Sequence, residues 1–331
     1  MKRSSLLFIF FSISLLLLFL IDLGAGSVYI PINDIVSVLL GDASDENTLK
    51  IVYNIRLVKA LVALLAGAAL SVSGLQMQTL FHNPLAGPFV LGISSGASLG
   101  VAIFILGTPF LGFDSSIESF GIAGAAWLGS AVVLAIIAAV GTRIKDIMVI
   151  LILGMMFSSC MGAIVQILQY LSRDEALKSF VVWTMGSLSE VTLTQLWILI
   201  PAILLGLFLA ILTIKPLNLL LFGEENAVSM GLDLKKSRGL LFLSTTLLAG
   251  TVTAFCGPIG FIGLAMPHIT RMIFQNSDHR VLIPATILTG ACVMLLCDLI
   301  AKIFVLPINS ITALFGIPIV IWVVLRKTAI A

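Results

Sequence analysis

The chain has 331 residues, 60% of them hydrophobic and only 10% charged, with a formal net charge of +2; its mean hydropathy is +1.19. Soluble domains carry about 25% charged and about 45 to 50% apolar residues, so water is not the main solvent here, which excludes a soluble enzyme and a nucleic-acid binder. At roughly 20 apolar residues per span, the length allows around ten spans with little room for a soluble domain.

Lys2 and Arg3 precede an apolar run that ends near Ile21. The run exceeds the roughly 7 to 15 residue core of a secretory signal, and further apolar segments follow, so we read it as a first membrane helix near 5–23. Pro31 to Leu40 reads as a short amphipathic helix on the outer surface: Pro31 suits a helix start, and Ile35, Val36, Leu39 and Leu40 recur at helical spacing. A second span is expected near 57–81. After it, His82-Asn83-Pro84-Leu85-Ala86-Gly87-Pro88 forms a loop whose two prolines stop both flanking helices, and His82 suits an interface contact better than a ligand or proton carrier. The third span, near 89–107, carries Gly92, Gly96 and Gly100 four apart, a flat ridge that admits a close helix neighbour.

Spans near 119–140 and 147–170 follow, then an insert from Arg173 to Leu188 that joins Arg173, Asp174, Glu175 and Lys178 to Phe180, Val181, Val182 and Trp183. The remaining spans are expected near 195–214, 239–256, 258–274, 281–305 and 309–325, making ten. The segment from Pro258 to Arg271 holds Gly260, Gly263 and Pro267 at membrane depth. It should be a short or broken helix shielded by its neighbours, because lipid cannot satisfy freed backbone groups. Cys160, Cys256, Cys292 and Cys297 lie in apolar segments without Cys-x-x-Cys spacing and read as small buried residues; no metal site, catalytic residue or cofactor is expected.

The longest polar stretch is the loop 215–238. Its composition predicts two short helices separated by Gly223, the second closed by Gly231 as a C-cap. Helices this short need something to pack on. Glu224 and Glu225 sit poorly against anionic headgroups, so the loop reads as a docking surface for a cytoplasmic partner more readily than as a helix resting on lipid.

With the N-terminus inside, Lys2, Arg3, Arg143, Lys145, Lys215, Lys235, Lys236, Arg238, Arg271, Arg280, Arg326 and Lys327 share one side. Asp34, Asp42, Asp45, Glu46, Asp114, Glu118, Asp174, Glu175 and Glu190 fall on the other. This is the positive-inside pattern, and it puts both termini in the cytoplasm. Arg56, Lys59 and Lys302 break the trend at the outer end. Snorkelling to headgroups accounts for each singly, and a positive ring that attracts an anionic substrate or an acidic partner accounts for all three.

The span interiors carry Gln76, Gln78 and Gln166 but almost no midplane carboxylate of the kind that ion coupling uses. The chain has no Gly-Lys dipeptide, hence no phosphate-binding P-loop. A permease driven by a separate motor fits both facts. A self-sufficient secondary transporter and a membrane-embedded enzyme, with His268 and Arg271 as its best polar pair, are the competing readings.

The motifs themselves resemble a family. Gly67-Ala68-Ala69-Leu70 through Ser73-Gly74 and Gln78, Asn83-Pro84-Leu85-Ala86 with Pro88, Leu91-Gly92 through Ser95-Gly96-Ala97, Trp183 with Gly186-Ser187-Leu188, and Leu217-Asn218-Leu219-Leu220 with Gly223-Glu224-Glu225 occur in the family's order. So do Gly257-Pro258-Ile259-Gly260-Phe261-Ile262-Gly263-Leu264, Pro267-His268, Arg271, Asp278-His279-Arg280, Asp298 and Thr312-Ala313. The sequence resembles the FecCD-type permease subunits of type II ABC importers, which take up ferric siderophores, haem or cobalamin.

The resemblance implies an all-α integral membrane protein, a single transmembrane permease domain over 1–331, which pairs as a homodimer around a central, largely apolar pathway. Its other partners would be two ATP-binding cassette ATPase subunits below, a periplasmic or lipoprotein substrate-binding protein above, and membrane lipid around it. It implies an inner-membrane location and an iron chelate or cobalamin as cargo. It assigns ATPase coupling to the loop at about 216–237, through Leu217, Asn218, Leu220, Gly223, Glu224, Glu225, Ala227, Met230 and Gly231. Binding-protein docking falls on Arg56, Lys59 and Lys302, and the pathway or inner gate on Ile147, Met148 and Gln166. Three departures stand out. The family's Arg-Leu-Pro-Arg is Arg56-Leu57-Val58-Lys59, which keeps charge but loses the planar guanidinium fork. Its Glu-Leu-Pro-x-Gly is Val305-Leu306-Pro307-Ile308-Asn309, and its small hydroxyl residues at the gate give way to Ile147 and Met148.

Overall fold

The computed structural model describes all residues except 1, 27, 29, 41–45, 108–118, 145 and 329–331. Asp42, Asp45, Asp114, Glu118 and Lys145, assigned above to the two sides, lie outside the described residues. The described chain is helical with no strand. α1 is Lys2–Gly24, α2 Ile32–Leu40 and α3 Glu46–Lys50; α3 runs through a π-helical turn, Ile51–Leu57, into α4, Val58–Leu80. A 3₁₀ turn, Pro88–Leu91, precedes α5, Ile93–Leu106, and then come α6, Ser119–Arg143, α7, Ile147–Leu171, and α8, Asp174–Thr184. α9 is Leu193–Leu212, α10 Ile214–Leu220, α11 Glu224–Ser229 and α12 Leu234–Cys256. α13, Ile262–Phe274, α14, His279–Phe304, and α15, Ile308–Thr328, complete the chain.

A helix stands at each of the ten expected span positions, yet among the described residues only 7 are long and apolar enough to cross a membrane. Local backbone breaks shorten two of the others. The third span begins only after Gly92, at φ +80°, so α5 keeps 14 residues, about 21 Å of helix. α13 begins four residues late because Gly257, at φ +72°, and Phe261, at φ +65°, lie in left-handed backbone; it keeps 13 residues. The break is shielded as lipid requires: Gly260 N–H donates to Asn309 Oδ1 at 3.0 Å. α15, which carries Asn309, is likewise a shorter apolar helix over its described side chains, Ile308–Val323. The second span errs the other way, beginning at Glu46 and running unbroken to Leu80.

α4 is the centre of the fold. The windows containing α4 and α12 are each 72% buried, against 11% for α1. The reason is composition: α4 reads VKALVALLAGAALSVSGLQMQTL, rich in Ala, Gly and Ser, so its backbone comes close to α9, α12, α13 and α14, all of which pack on it. At Gly67 the backbone of α14 at Gly290 occupies the space a Cβ would need, and at Gly74 the carbonyl of Gly263 does the same. Gly96 and Gly100 play the packing role predicted for them, facing the Gly129 and Ala125 carbonyls of α6.

Burial of α4 takes its polar side chains out of lipid and forces them to pair within the protein. Gln76, fully buried, donates from Nε2 to Thr213 Oγ1 and Ser244 Oγ, both at 3.1 Å, and accepts from Thr245 Oγ1 at 3.1 Å. One amide thus ties α4 to α12 and to the junction of α9 with α10.

We expect Gly74→Val to lower the melting temperature and folded yield of the detergent-solubilised protein, since overpacking costs about 1 to 3 kcal/mol. Gly124→Val on α6, where a Cβ meets nothing within 4 Å, should leave both unchanged in the same thermal-shift assay.

Candidate functional site

Two clusters of polar side chains lie at opposite ends of α14. His279 begins the helix and Lys302 nearly ends it, about 34 Å apart at 1.5 Å per residue.

At the His279 end, α10 and α11 form the two short helices that the glycines predict. Gly223 turns the chain at φ +89° and Gly231 closes α11 at φ +87°, with Leu232 N–H bonded to Ala227 O at 2.9 Å. Leu217, Leu220 and Ala227 are fully buried in a core shared with α4, α12 and α14. Their side chains fasten the loop to the membrane helices. Glu224 is paired within the loop. Its carboxylate takes Arg238 Nη2 at 2.6 and 2.7 Å, so its charge is neutralised inside the loop. Gly223, Gly231, Glu225 and Met230 stay accessible, and the exposed face is completed by Leu221, Phe222 and Val228. Sequence reasoning missed these last three; the available signal was bulky apolar residues beside a glycine in an otherwise polar loop.

The loop is pinned from behind. Asn218 Nδ2 donates to Asp278 Oδ1 at 2.6 Å, and Asn218 Oδ1 accepts from His279 N–H at 2.9 Å, capping α14. Asp278 also accepts from Arg280 N–H at 2.9 Å. The Arg280 backbone bond and then the Asn218 amide hold the Asp278 carboxyl below the usual carboxylate range. His82 Nε2 donates to Leu220 O and His268 Nε2 to Pro84 O, each at 2.7 Å. Both histidines are therefore tethers between elements. His268 turns to the 82–88 loop while Arg271 bonds to Gln78 on α4.

At the other end the positive ring is not a free surface. Arg56 is 4% exposed and donates to Leu23 O and Gly24 O, both at 3.0 Å, and to Val28 O. Lys59 pairs with Asp298 at 3.2 Å, and Lys302 pairs with Asp298 at 3.0 Å and with Asp22 at 2.7 Å. Asp22 and Asp298 are buried. Lys59 and Lys302 are thus ion-paired within the chain, where burial makes a partner obligatory, and Arg56 is held by backbone carbonyls. Arg56, Lys59, Ser187, Ser189, Asp298 and Lys302 line a cavity of about 600 Å³. Asp22 was overlooked because it stands just past the end of the first apolar run.

Of the gate residues, Ile147 is buried in the core cluster that also holds residues of α6 and α10. Met148, Ile152, Met155, Ser159, Gln166 and Tyr170 instead share one exposed stripe of α7 at helical spacing. Among the described residues no group of three or more His, Cys, Asp or Glu could hold a metal. Cys256, Cys292 and Cys297 are buried, as expected, but Cys160 is exposed.

Comparison with known proteins places this architecture. The model of the FecCD transport family matches residues 14–326. The hemin transport system permease protein HmuU of Yersinia pestis is 37% identical over 279 residues, 83% of each chain. The vitamin B12 import system permease protein BtuC of Klebsiella pneumoniae is 37% identical over 324 residues, 96% of this chain and 93% of that one. A solved structure described as an inward-facing metal-chelate type ABC transporter superimposes with a TM-score of 0.83 at 30% identity, covering 97% of this chain and 98% of the other.

Two outcomes are expected. Lys302→Met strands Asp22 without its cation and should cost about 3 to 5 kcal/mol of stability, with Asp22→Asn in the same chain recovering most of it, as read by thermal unfolding in detergent. Because the folded Asp278 carboxyl is depressed, its contribution is complete above about pH 4 and is lost as pH falls through the lower folded value. Melting temperature should therefore fall more steeply below pH 4 in the native chain than in Asp278→Asn.

Proposed function

Because the chain belongs to the FecCD transport family, and so is a membrane permease of an ABC importer, we propose that it carries an iron chelate, haem or a ferric siderophore, across the inner membrane as a homodimer. The observation that carries this reading is the similarity to the hemin permease, joined by the likeness to a metal-chelate type transporter. Cobalamin is the second reading, favoured by the equal identity to the vitamin B12 permease over a longer stretch. Both cargoes are large metal-centred chelates with much apolar surface, which suits a smooth apolar pathway better than a polar site.

In this proposal ATP hydrolysis belongs to two partner ATPase subunits in the cytoplasm, on the side of both termini. They engage the exposed face made by Leu221, Phe222, Glu225, Val228 and Met230. The exposed α7 stripe from Met148 through Gln166 to Tyr170 lines the passage between the two permease copies. A periplasmic or lipoprotein binding protein delivers cargo at the cavity end, where Arg56, Lys59 and Lys302 hold the walls in place. The apolar outer surface of α1, with Leu6, Ile9, Phe10, Ile13 and Leu16 all exposed, faces membrane lipid.

The test is purification of the complex through a tag on this chain, coexpressed with its ATPase, followed by uptake of haem, a ferric siderophore and cyanocobalamin into ATP-loaded vesicles. Two permease and two ATPase copies should be recovered. Phe222→Asp should weaken their association about tenfold or more, as loss of a buried aromatic anchor does, without unfolding the permease. Uptake of cyanocobalamin alone would select the second reading. Gradient-driven uptake without any ATPase would overturn the importer assignment for this cargo.

A further inference from the structure

A buried hydrogen-bonded path leads from α10 into the centre of the membrane helices. Asn218 is its first link. Its amide is fixed in one orientation, because the Asp278 carboxylate requires a donor and the His279 N–H requires an acceptor. His279 Nδ1, 2.8 Å from Asn218 Oδ1, must then donate to that oxygen. A neutral His279 presents Nε2 as an acceptor to Thr79 Oγ1 on α4 at 3.0 Å, and the single hydroxyl proton is shared between this nitrogen and Leu75 O. Arg271 Nη2 approaches Thr79 Oγ1 at 3.4 Å, while Arg271 Nη1 donates to Gln78 Oε1 at 2.7 Å. Gln78 Nε2 closes the path on Leu264 O at 3.0 Å, in the first turn of α13.

The middle of the path lies in the interior, where His279 is fully buried and Gln78 and Thr79 are 4% exposed, while Asn218 and Arg271 are half-buried. Breaking any one bond leaves a buried donor or acceptor unpaired, which costs more than the bond itself contributes. The linked elements therefore shift as a unit. The far end matters, because Leu264 lies three residues beyond Phe261, next to the Gly257–Phe261 break where the backbone leaves regular helix, and breaks of this kind are where rearrangement concentrates. Leu264 also adjoins Gly263, whose carbonyl packs on Gly74 of α4.

We propose that Asn218, His279, Thr79 and Arg271 are positioning residues that transmit displacement of α10 to α4 and to the broken start of α13. The proposal rests on the reading of α10 and α11 as the ATPase docking face, and it names the linkage by which that face controls the passage. None of the four touches cargo or nucleotide in this scheme. Removing a link should separate nucleotide-driven motion of the loop from motion of the helices.

The experiment is hydrogen–deuterium exchange on the complete permease–ATPase complex, free and trapped with ATP and vanadate, read at segments 214–232 and 257–264. In the native complex trapping should change exchange at both. In Thr79→Val the response at 214–232 should persist while that at 257–264 falls about two- to thirtyfold, the range that linking residues command. Thr79→Ser, which keeps the hydroxyl, should restore it. Asn218→Ala combined with Thr79→Val should lower the response no further than the single variant, because both interrupt one path. If Thr79→Val does not assemble, His279→Gln carries the same test. An undiminished response at 257–264 beside a normal response at 214–232 would overturn the relay and leave the docking reading intact. No response at 214–232 in the native complex would overturn docking, and the relay with it.

Discussion

The close approach of α4 to its neighbours is the constraint from which the rest follows. Lipid offers a helix as much apolar surroundings as another helix does, so association depends on tight packing between small residues. Gly67 against Gly290 and Gly74 against Gly263 set that distance. Once the backbones meet, Gln76, Gln78 and Thr79 of α4 have no lipid to face and find partners on α12, α13 and α14 and at the end of α9. The polar network around Gln76 and the path through Thr79 are consequences of that burial, and they give a shape-driven assembly a unique register.

The two ends of the molecule use charge in different ways. Near α10 and α11, Arg238 and Asp278 hold loops and helix starts in place and leave an apolar face with one free acid, Glu225, exposed. At the opposite end Lys59 and Lys302 pair with Asp22 and Asp298 beside a cavity. Removing the counter-charges from the surface leaves that cavity wall shaped by backbone and matched ions. A surface ion pair would be worth only about 0.2 to 1 kcal/mol, whereas these buried ones cannot be broken singly without a much larger penalty.

Apolar runs and punctuation made most of the fold legible. Pro88, Gly92 and the Gly257 to Gly263 cluster located the helix breaks, and Gly223 with Gly231 defined the paired short helices, because these residues act through local backbone geometry. What remained hidden was long-range pairing. Nothing local marks Asp22 as the counter-ion of Lys302, 280 residues away, or Glu224 as the partner of Arg238. The candidate docking face was half legible for the same reason. The loop was identifiable, but which of its residues turn inward, Leu217, Leu220 and Ala227, or outward, Phe222 and Val228, is decided by the helices beneath it.

The ion cluster joining α1, α4 and α14 has an electrical consequence. Two lysines and two aspartates sum to zero, and a group with no net charge does no work against the membrane potential when it moves as a body. Displacement of this four-ion cluster as a body is thereby insulated from the voltage across the membrane.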